Sequence, residues 1–284
     1  MFEQAGDISL AQLQATLQTT PETAALPPLE RRILLSHALG LDRIGLITQD
    51  QRVLSPTELA HISALLVRRL AGEPIAYILG QREFFGLSLR VTPDVLIPRP
   101  DTELLVELVL QMAAQGARIV DLGTGSGAIA IAVAHQRPDM EVTALDMSEA
   151  ALAIARENAA RHLQRPIHFL QSDWYQALPV GSQFDGIVSN PPYIEAHDAH
   201  LSQGDLRFEP ISALTDHADG LQALRQIIAG APQYLRAGGF LLMEHGYDQA
   251  DKVRSLLSQA GWQDVQSWRD LAGIERVSGG RLPN

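Results

Sequence analysis

From residue 101 onward, segments with the pattern of buried strands alternate with segments of helical periodicity, and this alternation restricts the possible folds more than any other feature of the chain. The strand-like runs are residues 118–121, 142–146, 167–170, 184–189 and 239–244. Because strands that alternate with helices pair in parallel, the pattern predicts a doubly wound, mostly parallel α/β sheet. Two further strand-like runs, near residues 262–265 and 275–277, have no helix between them and predict an antiparallel pair at one edge of the sheet.

The first eighty residues have a different pattern, because their apolar residues recur at helical spacing. One helix start is marked by Ser55, which precedes Pro56 and stands three residues before Glu58. This order is the signature of a capping box with proline at the first helical position. We predict a small N-terminal helical bundle domain over residues 1–80.

Residues 84–91 alternate between apolar and polar side chains around Gly86 and predict a short β-hairpin. We interpret residues 81–100, which contain this hairpin, as the connector between two domains. The predicted α/β sheet then occupies a larger domain over residues 101–284.

Composition excludes several kinds of site and partner. The 284 residues contain no cysteine, which excludes disulfides, thiolate metal sites and thiol nucleophiles. The formal net charge is -11 and Lys252 is the only lysine, so a broad phosphate-binding surface is not expected. We therefore expect no direct nucleic-acid partner. The histidines stand singly in unrelated segments, and we expect no metal site.

The sequence also bears on localisation. Residues 1–4 lack the basic-then-apolar order of a signal peptide, and no run of residues has the length and apolar content of a membrane span. We expect a cytoplasmic protein that has no membrane partner.

A glycine-rich loop follows the first parallel strand and leads into a helix. Its residues are Gly123, Thr124, Gly125, Ser126 and Gly127. Glycines at such a position let the backbone turn sharply and approach a ligand closely. With Ala128 the loop fits the dinucleotide fingerprint, in which a pyrophosphate lies at the helix N-terminus. The third glycine and the acidic Asp121 before the loop suit instead a cationic ligand without phosphates, such as S-adenosyl-L-methionine.

Two more candidate ligand contacts follow the next strands of the predicted sheet. Asp146 ends the second strand, where a carboxylate can accept hydrogen bonds from both hydroxyls of a ribose. Its alternative role is a helix N-cap, for which Ser148 competes. Trp174 follows the third strand and could flank an adenine ring, or it could belong to the core.

A tetrapeptide after the fourth strand points to the chemistry of the substrate. It consists of Asn190, Pro191, Pro192 and Tyr193. A planar NH2 group can donate its hydrogens to the Asn190 side-chain oxygen and to the Pro191 carbonyl, while the Tyr193 ring stacks on its face. The tetrapeptide therefore predicts a holder for an amide or an exocyclic amine, although Asn-Pro and Pro-Pro also mark ordinary turns.

Together these motifs resemble the PrmC (HemK) family of protein-glutamine methyltransferases. The likeness extends over most of the chain and includes residues 77–80, 83–86, 96–103, 121–127, 189–194, 208–210 and 220–221. The segment at residues 96–103 discriminates best, since Asn-Pro-Pro-Tyr occurs in several amino-group methyltransferase families. Asp101 stands where glutamate is frequent in the family.

The resemblance implies a Rossmann-like class I methyltransferase sheet, S-adenosyl-L-methionine as cofactor, and an N-terminal helical domain that recognises the substrate. It implies that residues 123–127, Asp146, Trp174 and Asn190 bind the cofactor. It also implies that residues 190–193 form the glutamine pocket, with Asn190, Pro191 and Tyr193 as catalytic residues. The implied substrate is the glutamine of the Gly-Gly-Gln motif in class-1 peptide chain release factors, methylated on its side-chain amide nitrogen.

Three other functions are compatible with parts of the same set of motifs. A methyltransferase acting on a glutamine of a ribosomal protein is disfavoured mainly by residues 99–103, and a DNA or RNA amino-group methyltransferase is disfavoured by the charge of residues 1–80. A cofactor-binding module without activity is disfavoured by the intact tetrapeptide.

Overall fold

The computed structural model describes residues 8–284, so the signal-peptide prediction for residues 1–4 lies outside the described residues. The chain divides into two compact units, one ending at Gly80 and the other beginning at Gln81. Within residues 8–284, no helix combines the length and the apolar character that crossing a membrane requires.

The first unit is helical, which confirms that prediction. Its helices are α1 (Leu10–Thr19), α2 (Pro21–Ala24), α3 (Pro28–Leu39), α4 (Arg43–Thr48), α5 (Pro56–Leu70) and α6 (Ile75–Leu79). The start of α5 carries the predicted capping box, because Ser55 Oγ accepts from the Glu58 N–H at 3.3 Å and Glu58 Oε2 accepts from the Ser55 N–H at 2.9 Å. A cluster of buried leucine and isoleucine side chains, including Leu13 and Ile62, forms the core of this unit.

A two-stranded antiparallel hairpin begins the second unit, formed by β1 (Gln81–Phe84) and β2 (Leu87–Arg90). The turn residues Phe85 and Gly86 both have positive φ, 51° and 79°, as a two-residue type I′ hairpin turn requires. Glu103 Oε1 accepts a hydrogen bond from the Phe85 N–H at 3.0 Å, which fastens this turn to the start of the next helix.

The rest of the second unit contains a seven-stranded sheet flanked by helices. Its strands are β3 (Arg118–Leu122), β4 (Glu141–Asp146), β5 (His168–Gln171), β6 (Phe184–Ser189), β7 (Leu235–Glu244), β8 (Gln263–Arg269) and β9 (Glu275–Arg281). Its helices are α7 (Glu103–Met112), α8 (Ala128–Gln136), α9 (Glu149–His162), α10 (Ile211–Leu214), α11 (Gln222–Gly230) and α12 (Ala250–Gln259).

The strand order is β5-β4-β3-β6-β7-β9-β8. The pairs from β5 to β7 are parallel, whereas β9 is antiparallel to both β7 and β8. The predicted mostly parallel sheet with an antiparallel edge pair is confirmed. The chain leaves β3 toward β4 on one side and later places β6 on the other, so the strand order reverses at β3. Open α/β sheets bind ligands at such a point, beyond the carboxyl ends of the strands.

The sheet is covered on both faces, as expected for parallel strands. Ile119 and Val120 are adjacent in β3 and completely buried, yet they belong to different apolar clusters because neighbouring strand residues point to opposite faces. Close packing is visible at Gly186 in β6, where a Cβ atom would lie 2.2 Å from Cζ of Phe240 in β7. Only glycine fits opposite this ring.

Candidate active site

A cleft of about 470 Å³ opens at the carboxyl ends of the parallel strands. The loop after β3, the end of β4 and the segments after β5 and β6 form one side of it. Residues 93–96 and residues that include parts of α10 and the first turns of α11 also line it. The predicted site residues that line this cleft are Gly123, Gly125, Asp146, Trp174, Asn190 and Pro192.

The three loop glycines have positive φ and serve different steric needs. A Cβ on Gly125 would meet nothing within 4 Å, and one on Gly123 would come no closer than 3.9 Å to the Trp174 ring, so both present open backbone to the cleft. A Cβ on Gly127 would lie 2.7 Å from Ile131 Cδ1. Gly127 therefore permits close packing at the start of α8 and does not line the cleft.

The side chains between the glycines also point away from the cleft. Thr124 is buried and its hydroxyl donates to Asp121 Oδ2 at 2.6 Å. Ser126 is buried as well, and its carbonyl accepts from Asn158 Nδ2 at 2.9 Å. The structure places Thr124 and Ser126 where they hold the shape of the loop.

Most of the backbone N–H groups of the loop are already paired. Those of Gly123 and Thr124 donate to the Leu145 carbonyl, both at 2.8 Å, and that of Gly125 donates to Asp146 Oδ2 at 2.8 Å. A pyrophosphate would need such groups free and would face the carboxylates of Asp121 and Asp146. This geometry does not suit a dinucleotide.

Two acidic side chains stand at the loop end of the cleft, where Asp146 lines the cleft and Asp121 is completely buried. Burial raises the pKa of Asp121 to about 7, although the Thr124 hydroxyl opposes the rise, and Asp121 Oδ1 has no hydrogen-bond partner among the described residues. Burial also raises the pKa of Asp146, against the opposing effect of backbone N–H groups that include those of Ser148 and Gly125. A cationic ligand beside them would favour their charged forms.

The end of β4 settles which residue caps the next helix. Ser148 Oγ accepts from the Ala151 N–H at 3.2 Å and is the N-cap of α9. Asp146 instead accepts from the Ser148 N–H at 2.9 Å through Oδ1, and from the loop through Oδ2. The Asp146 carboxylate therefore joins the loop after β3 to the turn after β4.

Trp174 forms part of the wall of the cleft, and its backbone adopts a positive φ of 47°. Its indole N–H donates to Gln226 Oε1 on α11 at 2.9 Å, while the ring edge faces Gly123. The hydrogen bond to Gln226 thus fixes the position of the ring. A planar apolar ligand group can pack against it.

The tetrapeptide after β6 is divided between the cleft and a buried polar cluster. Asn190 and Pro192 line the cleft, and Asn190 Nδ2 donates to Thr102 Oγ1 at 3.1 Å. Pro191 is buried. The Tyr193 hydroxyl donates to Glu244 Oε1 at 3.2 Å, so this side chain turns toward the end of β7.

The backbone after the tetrapeptide is fastened by a glutamine. Gln249 Nε2 donates to the carbonyls of Tyr193 and Gly220, at 3.0 and 3.2 Å. A Cβ on Gly220 would lie 2.5 Å from the Tyr193 carbonyl oxygen, so this position requires glycine. The Ile194 N–H continues the connection by donating to the Leu214 carbonyl at 3.0 Å.

Residues 99–103 connect the site to the rest of the second unit. Arg99 forms an ion pair with the buried Glu209, whose Oε2 also accepts from the Ile97 N–H at 3.0 Å. Asp101 Oδ2 lies 3.3 Å from Arg276 Nη2 on β9. These contacts fix the position of the segment, which contains Thr102, the hydrogen-bond partner of Asn190.

Sequence reasoning missed several residues of this site, namely Thr102, Glu209, Gln226, Glu244 and Gln249. Glu244 carried a usable signal, because it ends a strand next to β6 in the parallel part of the sheet, where site residues gather. Thr102 and Glu209 stand in two of the segments that carry the family resemblance, but no role follows for them from the sequence, and the contacts of Gln226 and Gln249 have no local sequence pattern. Across residues 8–284, no group of three or more histidine, aspartate or glutamate side chains could hold a metal ion.

Comparison with known proteins identifies both parts of the chain. Residues 10–80 match the PrmC N-terminal domain, and residues 100–205 match the methyltransferase small domain. A solved T. thermophilus 16S rRNA N2 G1207 methyltransferase, in complex with AdoMet and guanosine, has the same kind of fold, with a TM-score of 0.52 and 21% identity over 71% of this chain and 49% of that one.

Two curated relatives are much more similar. The release factor glutamine methyltransferase of Burkholderia pseudomallei is 55% identical over 283 residues, which cover 94% of this chain and 99% of that protein. The protein of the same name from Bordetella pertussis is 57% identical over 259 residues, which cover 90% and 96%. With this identity over nearly the whole length of both relatives, the chain belongs to the release factor glutamine methyltransferase family, whose members are S-adenosylmethionine-dependent enzymes.

Proposed function

We propose that this chain uses S-adenosyl-L-methionine to methylate the side-chain amide nitrogen of the glutamine in the Gly-Gly-Gln motif of class-1 peptide chain release factors. The observation that carries the proposal is the Asn190 amide at the carboxyl end of β6, which lines the cleft with its Nδ2 engaged by Thr102. Its Oδ1 is thereby available as an acceptor for a substrate NH2 group.

The cleft supports the cofactor assignment on its own residues. Asp146 offers a carboxylate to ribose hydroxyls, Trp174 offers a fixed apolar face to the adenine, and Gly123 and Gly125 allow close backbone approach. A ligand that carries positive charge and no phosphate would favour the charged form of the buried Asp121, whose pKa burial raises to about 7. When bound, S-adenosyl-L-methionine supplies an electrophilic methyl group on a sulfonium.

An amide nitrogen is a weak nucleophile because its lone pair is delocalised, so the protein must act mainly by orientation. Asn190 Oδ1 and the Pro191 carbonyl accept the two substrate N–H bonds, and the Tyr193 ring supports the amide plane. Each such hydrogen bond contributes only about 0.5–1.5 kcal/mol net to stability, whereas held near-attack geometry contributes up to about 7–11 kcal/mol to the rate. Orientation is therefore the larger effect.

The charge that develops on nitrogen strengthens the same two hydrogen bonds. Acceptors that are fixed before the reaction stabilise the transition state more than the ground state. The N-methylated amide cation is strongly acidic and loses its proton readily, so the step requires no strong base. This agrees with a site in which Asn190, Pro191 and Tyr193 provide polar and aromatic contacts and no nucleophile.

The helical domain at residues 1–80 is proposed to help grip the release factor, and the second unit carries the chemistry. The net charge of -11 suits a basic protein partner better than a nucleic acid. We propose a cytoplasmic enzyme, in keeping with a release factor as its substrate.

The test is tryptic mass spectrometry of an unmethylated release factor incubated with this protein and S-adenosyl-L-methionine. A gain of one methyl group on the Gly-Gly-Gln peptide, abolished when that glutamine is replaced by glutamate, is the expected result. No gain while the cofactor still binds would contradict the substrate and redirect the search to ribosomal proteins and nucleic acids.

A further inference from the structure

We propose that Gln226 is a specificity-determining residue of the cofactor site, which donates a hydrogen bond from its side-chain NH2 group to a ring nitrogen of adenine. The inference rests on the S-adenosyl-L-methionine assignment of the proposed function. Gln226 lies on α11 and lines the cleft, where its side chain contacts the indole of Trp174.

The Trp174 ring does not by itself select one base. Every base has a π-face, so stacking on an aromatic side chain tolerates any of them. The polar group of the Trp174 side chain is its indole N–H, and this group already donates to Gln226 Oε1 at 2.9 Å. No side-chain hydrogen bond of Trp174 remains for a base, so selection at this wall requires a polar group beside the ring.

The indole also determines which end of the Gln226 amide faces the ring. An indole nitrogen donates a hydrogen bond and cannot accept one, so it pairs with the amide oxygen. The exchanged orientation of the amide would place its NH2 group against the indole N–H, and two donors repel each other. Nε2 therefore points away from the indole nitrogen, and it makes no hydrogen bond to any residue that the structure describes. Its hydrogens are available to a ligand in the cleft.

Further contacts join the two segments that carry this pair. The Tyr175 hydroxyl donates to the Ile227 carbonyl at 2.8 Å, directly beside the hydrogen bond between Trp174 and Gln226. One turn further along α11, a Cβ on Gly230 would lie 2.5 Å from the Tyr175 ring, so the helix packs closely on the segment after β5. The Gln226 NH2 group is thus presented from a rigid wall, and little conformational freedom is lost when a ligand binds to it.

An NH2 group at this position matches the chemistry of adenine, which offers acceptors at its ring nitrogens N1, N3 and N7. A carboxylate at the same position would have no hydrogen to donate to them. The substitution Gln226→Glu therefore keeps an oxygen for the indole N–H and removes the proposed contact with adenine. It separates support of Trp174 from recognition of the base.

The experiment is isothermal titration calorimetry with S-adenosyl-L-homocysteine and its 1-deaza, 3-deaza and 7-deaza analogues, each of which replaces one ring nitrogen by C–H. At least one analogue should bind wild type about two- to tenfold more weakly than the parent compound, as expected for one hydrogen bond between neutral groups. This difference should disappear in Gln226→Glu and in Gln226→Met. If every difference seen in wild type persists in both variants, the proposal is wrong.

The substitution Gln222→Glu is the matched control for the added charge. Gln222 also lines the cleft and lies one turn before Gln226 on the same helix. The difference between the parent compound and its deaza analogue should remain in this variant. Its disappearance would show that negative charge, and not the missing donor, changes the binding, and would overturn the proposal.

The orientation of the amide has its own measurement. The indole N–H signal of Trp174, assigned in ¹⁵N spectra by its loss in Trp174→Phe, should keep its hydrogen-bonded shift in Gln226→Glu and lose it in Gln226→Met. An unchanged signal in Gln226→Met would refute the orientation on which the inference depends.

Failure of this inference can be distinguished from failure of the proposed function. No binding of S-adenosyl-L-homocysteine by wild type would overturn both. Binding with a deaza effect that depends on Gln226, but without methylation of a release factor, would support the role of Gln226 and reject the substrate. Binding and methylation without such a dependence would reject the role of Gln226 alone.

Discussion

Gly125 donates its backbone N–H to the carboxylate of Asp146 across a distance of 2.8 Å, which ties the glycine-rich loop after β3 to the end of the neighbouring strand β4. The same carboxylate is the proposed ribose acceptor. In the proposed function, Asp146 therefore both shapes the loop and binds the cofactor.

We predict that Asp146→Ala weakens S-adenosyl-L-methionine binding about tenfold or more, since hydrogen bonds to a charged group contribute about 1.5–3 kcal/mol and 1.4 kcal/mol corresponds to a factor of ten. Isothermal titration calorimetry measures the dissociation constant. Asp139→Ala is the matched control. Asp139 precedes β4, does not line the cleft, and binds Arg137 and the Gly116 N–H. An Asp146→Ala dissociation constant equal to that of wild type would refute the assignment.

Asn190→Ala should lower methylation by about a hundredfold or more, similar to the loss of one oriented transition-state hydrogen bond in other enzymes. Its melting temperature should stay close to that of wild type, because Asn190 is only partly buried and lies at the edge of the sheet. Methylation assays and thermal melts on the same preparation test both statements. Normal turnover by a folded Asn190→Ala protein would sink the mechanism.

Gly186→Ala should destabilise the second unit by about 1–3 kcal/mol, the usual cost of overpacking a core. The added Cβ would lie 2.2 Å from the Phe240 ring. The same substitution should cost less when Phe240 is replaced by leucine, and urea unfolding of the four proteins gives this coupling. Equal costs in the two backgrounds would show that the ring is not the obstacle.

The pH dependence of stability should change in Asp121→Asn. Burial raises the pKa of Asp121 from an ordinary value of 3.8 to about 7, so the folded protein favours the protonated form. The stabilisation of the folded protein that comes from this preference is complete below pH 4 and is lost as the pH rises through 7. The variant stays neutral. The unfolding free energy of the variant minus that of wild type should therefore increase as the pH rises from 4 to 7, by at most about 1.4 kcal/mol per pH unit. Parallel curves in chemical denaturation would show that Asp121 titrates normally.

The elements of the fold could be predicted because their signals are local. The apolar runs and the capping box at Ser55 depend on residues a few positions apart, and the mostly parallel pairing follows from the alternation of strands with helices. The loop glycines were recognised, but their separate steric reasons depend on Ile131 and Trp174, which are not part of the motif.

The supporting contacts of the site could not be predicted in this way. Thr102 and Asn190 are 88 residues apart in sequence, and Arg99 and Glu209 are 110 apart. Pairing of this kind appears only when the strands are assembled. Tyr193 illustrates the limit, since its aromatic ring was expected beside the substrate and its hydroxyl contact with Glu244 had no signal in the tetrapeptide.

The position of β9 between β7 and β8 has a consequence for synthesis. A growing chain completes β8 before it makes β9, so the nascent sheet ends at β7 until residues 275–281 emerge. During that interval the edge of β7 over residues 240–243, which are all apolar, has no strand beside it. Unpaired apolar edges associate readily with other chains. A chain that lacks β9 would therefore leave an apolar sheet edge open to association with other chains, and β9 covers this edge in the complete sheet.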